Sequence, residues 1–132
     1  MHRVKVTLIA VVIVALLQGT AAADVGDVVV GGVLVLRIRA EAGGLTIQQR
    51  AAIVEQRIVN VLGKVRPTPE QIVVRFVNGQ PAIFVGPAMI ITVDANHARL
   101  NQTTQQALAE VWAGKLREAL PKAMPQVRPT GP

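Results

Sequence analysis

The 132-residue chain contains no cysteine, no tyrosine and no serine. Without cysteine there is no disulfide framework and no thiolate-ligated zinc or iron–sulfur centre, and without serine or cysteine the common covalent nucleophiles are missing. Aromatic residues are equally scarce, with one tryptophan and two phenylalanines. That leaves little from which to build a stacking platform for single-stranded nucleic acid. What the chain has instead is 51% hydrophobic residues and a formal net charge of +6, totals that suggest a membrane protein or a basic binder until the N-terminus is separated from the rest.

Arg3 and Lys5 precede an unbroken apolar run from Leu8 to Leu17, followed by polar Gln18-Gly19-Thr20 and by Ala21-Ala22-Ala23. Residues 1–23 therefore read as a secretory signal peptide. The run is about half of the roughly 20 apolar residues that a spanning helix needs, so a retained anchor is the weaker alternative. The remaining 109 residues carry twelve basic and eight acidic side chains, a net charge of +4. They suffice for one hydrophobic core. Residues 24–120 are expected to form a single globular domain, and the proline-bearing stretch 121–132 a disordered tail.

Asp24–Gly32 is a ragged lead-in or a strand extension. Val33–Ala40 (VLVLRIRA) has strand character, with Leu34, Leu36, Ile38 and Ala40 on the core face and Val33, Val35, Arg37 and Arg39 on the other. Thr46-Ile47-Gln48-Gln49 has the form of a capping box. The helix it opens places Ile47, Ala51, Val54, Ile58, Val61 and Leu62 on one stripe, and is expected to stop at Gly63. Gln71–Val77 and Pro81–Val85 flank Asn78-Gly79, the strongest two-residue hairpin signal. Pairing across it sets Val74 opposite Ile83, Ile72 opposite Val85, Arg75 opposite Ala82 and Val73 opposite Phe84. Ala88–Val93 is a fourth strand, and Asp94–Gln102 a polar connection. Thr103 or Thr104 caps a second helix, with Gln106 completing a box from Thr103. Its stripe runs Leu108, Val111, Trp112, Leu116, Leu120, and the helix should end before Pro121.

The order β-α-β-β-β-α predicts an α/β (α+β) fold: a two-layer sandwich of one small mixed sheet of about four strands with two helices on one face. Quoted in order, TIQQRAAIVEQRI, QPAIFV, IITVDA and LNQTTQQALAEVWAGKLREAL resemble the extracytoplasmic domain found upstream of the membrane portion in some bacterial, notably cyanobacterial, MscS-like mechanosensitive channel proteins. The resemblance spans about Val33 to Ala123. It implies a fold and an envelope location; no pore-forming segment follows in this chain.

Chemistry-bearing residues are few. His97 is the only histidine after residue 23, and Asp94 three residues before it does not complete a metal site, which needs at least three protein ligands. A solvated loop for His97 and a turn or cap for Asp94 are the expected roles, with no metal and no cofactor. Glu55, Glu110 and Glu118 fall on polar helix flanks. Gly31-Gly32 and Gly43-Gly44 are turns, lacking the Lys-Ser/Thr pair or the third spaced glycine of phosphate-binding loops. Catalytic residues are not expected. Arg37, Arg39 and Arg75, with Val73 and Phe84, are instead assigned to the sheet face opposite the helices, as a surface for a protein partner, for self-association or for an anionic ligand. Long side chains shielding valines on a plain solvent face are the bland alternative. The expected function is thus a non-enzymatic exported envelope module that binds an envelope or membrane protein, or itself, through its open sheet face and does not bind nucleic acid. A small-ligand sensor acting on a neighbouring membrane protein is second and a small hydrolase third.

Overall fold

A computed structural model describes residues 24–123; the proposed signal peptide and the chain beyond residue 123 lie outside the described residues. The architecture is α+β. Two antiparallel sheets, one of two strands and one of three, share one continuous hydrophobic core with the helices. Five strands in two sheets thus replace the four strands of one mixed sheet.

The extra strand comes from the Gly-rich lead-in. β1 (Asp27–Val30) turns through Gly31-Gly32, at φ of 57° and 80°, into β2 (Val33–Arg37). Two successive positive φ values are what a tight hairpin turn demands, and glycine supplies them without steric cost. The pairing skips a residue: Val28 faces Leu36 while Val29 faces Leu34. Val35 is the bulged residue, so the period-two alternation breaks there. Val35 and Leu36 are both buried, and Leu34 is 43% exposed. The expected assignment of Leu34 to the core and Val35 to the opposite face is therefore reversed, whereas Leu36 and Ile38 are in the core as expected.

Helix α1 (Ile47–Lys64) starts at a complete capping box: the Gln49 amide donates to Thr46 Oγ1, and the Thr46 amide donates to Gln49 Oε1. It buries Ala51, Val54, Ile58, Val61 and Leu62, runs one residue past Gly63, and packs on β1 and on the last described strand, Ala88–Thr92. A short 3-10 turn at Pro69–Gln71 leads into β3 (Ile72–Val77), β4 (Gln80–Val85) and β5 (Ala88–Thr92). The β3–β4 register is the expected one, residue for residue, around Asn78 and Gly79 at φ of 52° and 79°. A second bulge, at Ile90, puts Ile90 and Ile91 both in the core.

The expected polar connection contains a one-and-a-half-turn helix, α2 (Ala95–Leu100), capped by Asp94. Thr104, not Thr103, caps the final helix α3 (Gln105–Ala123): its Oγ1 accepts from the Ala107 amide. Pro121 lies inside α3. A proline there removes one helical amide donor, but Ala119, Leu120 and Ala123 are buried, and the Gly31 turn packs directly on the backbone of Ala123. Burial carries the helix past the residue expected to end it. α3 meets β1, β2, β3 and β4, and the fully buried Ala109, Ala113 and Ala119 let it approach both sheets closely. No described helix is long and apolar enough to cross a membrane.

Candidate functional site

Three places hold the polar chemistry of the described residues. The first is a buried knot around His97, whose side chain is completely shielded from solvent. The expected solvated histidine is therefore a core residue. α2 makes it so: Asp94 caps that helix by accepting from the His97 amide at 2.8 Å, which turns the imidazole inward against Trp112, edge to face at 5.8 Å between ring centres. Nε2 accepts from the Arg39 amide at 3.3 Å, and Nδ1 lies 3.4 Å from Asp94 Oδ2. An acceptor role for Nε2 leaves the proton of the neutral ring on Nδ1, facing the carboxylate, so the Arg50 guanidinium nitrogen 3.4 Å from Nδ1 is a charged neighbour and not a donor to it. Arg50 stands beside the same carboxylate at 3.6 Å and donates to the Ala40 carbonyl at 2.7 Å. Burial, then the Arg50 charge, hold the His97 pKa below its usual 6.5, against the opposing pull of Asp94. Asp94 is itself shifted down: burial raises it, but the His97 amide, the imidazole and Arg50 outweigh that. The knot ties β2's trailing segment, α1, α2 and α3 together. Every buried side-chain polar atom in the described residues has a partner, and no group of three or more potential metal ligands forms among them.

The second place is the three-stranded sheet. The guanidinium carbon of Arg75 sits 4.9 Å above the Phe84 ring, and Phe84 is the cross-strand partner of Val73. These three of the five predicted surface residues are together, with half-buried Val77 on the same face of the strand. Arg37 and Arg39 are elsewhere, on and just after β2 of the other sheet. Arg37 is committed to an ion pair, its Nε 2.5 Å and its NH2 3.2 Å from the two oxygens of Asp27, with Asp24 at 3.3 Å. The Arg37 hydrogen bond holds the Asp27 carboxyl below the usual carboxylate range.

The edges of this sheet matter as much as its face. The two-residue turn makes Val77–Gln80 a hydrogen-bonded pair, so 75–82 and 73–84 are hydrogen-bonded as well, and Pro81, with no amide proton, falls in the unbonded 76–81 pair. The backbone groups of Ile72, Val74 and Phe76 consequently point away from β4, off the free edge of β3. Arg117 covers the Ile72 carbonyl at 2.8 and 3.2 Å. Among the described residues nothing hydrogen-bonds the outward groups of Val74 or Phe76, and the Phe76 ring is 64% exposed. This edge could have been foreseen: QIVVRFV carries neither the lysine nor the interior proline by which edge strands are commonly blunted.

The third place is a groove of about 330 Å³ between the C-terminal half of α1 and the β4–β5 turn, apolar at Val61, Val65, Val85 and Met89 and rimmed by Arg57, Asn60 and Lys64. Arg57 donates to the Ile90 carbonyl at 3.0 Å.

Over residues 27–123, nearly the whole described domain, the chain matches the profile of a domain of unknown function (DUF8459) and belongs to that family. No curated protein and no solved structure matches it.

Proposed function

We propose that this DUF8459 chain is a non-enzymatic, exported binding module that acts by adding a strand to the free edge of β3, first of all the β3 strand of a second copy of itself. The observation that carries the reading is the bare edge at Val74 and Phe76: four backbone hydrogen-bonding groups without a partner, beside a large exposed ring. Such an edge is a template for pairing. Antiparallel pairing of β3 with its copy about Phe76 sets Phe76 against Phe76 and Arg75 against Val77 of the second copy. Pairing about Arg75 would instead set two guanidinium groups directly opposite, which is unfavourable. The first register joins two three-stranded sheets into one of six and brings the two Arg75–Phe84–Val73 platforms onto one surface. Export is supported by the composition of residues 1–23, and a binding role by the sealing of His97, the one imidazole in the domain, away from any substrate.

Sedimentation equilibrium of the mature chain tests the proposal, with amide hydrogen exchange as the local readout. The expected result is a concentration-dependent dimer in which the Val74 and Phe76 amides gain protection, and a monomer for Phe76→Lys, which alters an exposed side chain and leaves the core intact. A wild-type chain that stays monomeric at every concentration, with both amides unprotected, would falsify it.

A further inference from the structure

We infer that the groove between α1 and the β4–β5 turn is a binding site for a small amphiphilic carboxylate, a medium-chain acyl anion lying with its tail on the sheet and its head against α1. The site is separate from the β3 edge, and the inference stands independently of the pairing proposed there. Charge complementarity carries it. Arg57, Asn60 and Lys64 are spaced three and four residues apart, so they stand on one face of α1 directly over the groove. No acidic side chain lines the groove, and neither Arg57 nor Lys64 has a carboxylate partner among the described residues. Of its five donors Arg57 spends one N–H on the Ile90 carbonyl, which anchors the guanidinium at the groove wall and leaves the other donors for a ligand. A carboxylate offers two oxygens to two cationic groups, one to each.

The neighbouring hollow along α1, about 190 Å³, shares Arg57 but is lined by Arg50, which Asp94 already neutralises. Only the larger groove therefore brings two unmatched cations, Arg57 and Lys64, together. The C-terminal end of α1 opposes an anion with roughly half a negative charge, which two full cations outweigh. Below the head, Val61, Val85 and Met89 provide an apolar floor. A groove of about 330 Å³ lies at the small end of ligand-pocket volumes, which suits a medium-chain anion such as octanoate and not a long-chain one.

Titration of the mature chain with sodium octanoate, followed by calorimetry and by amide chemical shifts, tests the assignment, with butyrate and 1-octanol as ligands lacking tail and charge. Expected are saturable one-to-one binding of octanoate, at least about tenfold weaker binding of both comparators, and a similar loss in Lys64→Glu. Lys64 makes no hydrogen bond that the fold needs, so that variant keeps its structure; Met89→Glu, at the apolar floor, should lose binding as well. Shift changes should gather on residues 57–65 and 88–90. The assignment is overturned by the absence of saturable binding, by octanol binding as tightly as octanoate, by Lys64→Glu binding unchanged, or by shifts that gather on β3.

Discussion

Replacing His97 with leucine should be the most informative single change in the core, because leucine restores the bulk and removes only the polar role. Two losses follow from the geometry. The Arg39 amide loses its acceptor at Nε2, and an unsatisfied, part-buried donor costs about 1–2 kcal/mol. The edge-to-face contact with Trp112 contributes about 0.5–1.5 kcal/mol more. The sum, about 1.5–3.5 kcal/mol, is a large share of the 5–15 kcal/mol typical of a domain and corresponds to a fall in Tm of roughly 6–28 °C at this size. Urea unfolding at pH 7.5 measures it directly. A second signature separates the imidazole from simple packing. The folded-state pKa of His97 is depressed below 6.5, so the unfolded chain binds the proton first as pH falls. The stability contribution is complete above about pH 6.5 and declines below it, by at most about 1.4 kcal/mol per pH unit, until the folded-state pKa is reached. Asp94 and Asp27, both shifted down, withdraw their contributions only below about 3.8. The window just below 6.5 therefore belongs to His97 and should vanish in His97→Leu. A variant destabilised by less than about 0.5 kcal/mol, or one that keeps the wild-type slope between pH 6.5 and 5, would refute the account of the knot.

The bulge in β2 predicts unequal neighbours: Val35→Ala should cost about 2 kcal/mol, while Leu34→Ala, at a side chain 43% exposed, should cost under about 0.5 kcal/mol; equal effects in thermal unfolding would restore strict alternation. Gly26→Ala should destabilise by about 1–3 kcal/mol, since a Cβ at that position would stand 2.1 Å from the Ile38 carbonyl oxygen, and a neutral result in urea unfolding would mean that the lead-in does not pack as described. The Asp27 carboxyl should titrate below 3.8 by NMR and move back toward that value in Arg37→Gln, because the Arg37 hydrogen bond is the leading cause of its shift; an unmoved titration would break that attribution.

Which parts of this arrangement can be read along the chain follows from how locally each is determined. The Thr46–Gln49 box and the Asn78-Gly79 turn are decided within four residues, and both form as the pattern predicts. The α1 stripe needs only helical periodicity, and its five buried residues are the expected ones. Alternation fails where its premise fails. In VLVLRIRA the arginines set the phase correctly for Leu36 and Ile38, but counting back across the bulge at Val35 inverts every earlier assignment. An all-apolar run offers no polar residue that would reveal the slip. His97 is hidden for a different reason. It sits in DANHARLNQ, polar by composition, and is buried only because Asp94 starts a helix there and because the Arg39 amide and Trp112, 58 residues before it and 15 after it, close around it.

The same distinction separates the candidate surfaces. Arg75, Val73 and Phe84 lie on one face because a hairpin register places them there, and register is local. Arg37 and Arg39 would share that face only if β2 joined the same sheet. α3 instead packs against both sheets and leaves β2 paired with β1 alone. Arg37 is then drawn to Asp27 across its own hairpin, which removes its charge from any surface meant for a partner. By contrast, Arg57 and Lys64 fall on the polar flank of α1 and look like ordinary solvated cations in the sequence. The β4–β5 turn gives them a shared apolar floor, and no carboxylate among the described residues answers them. That combination of two cations and an apolar floor arises only when α1 and β5 meet, twenty-four residues after Lys64 at the first residue of that strand.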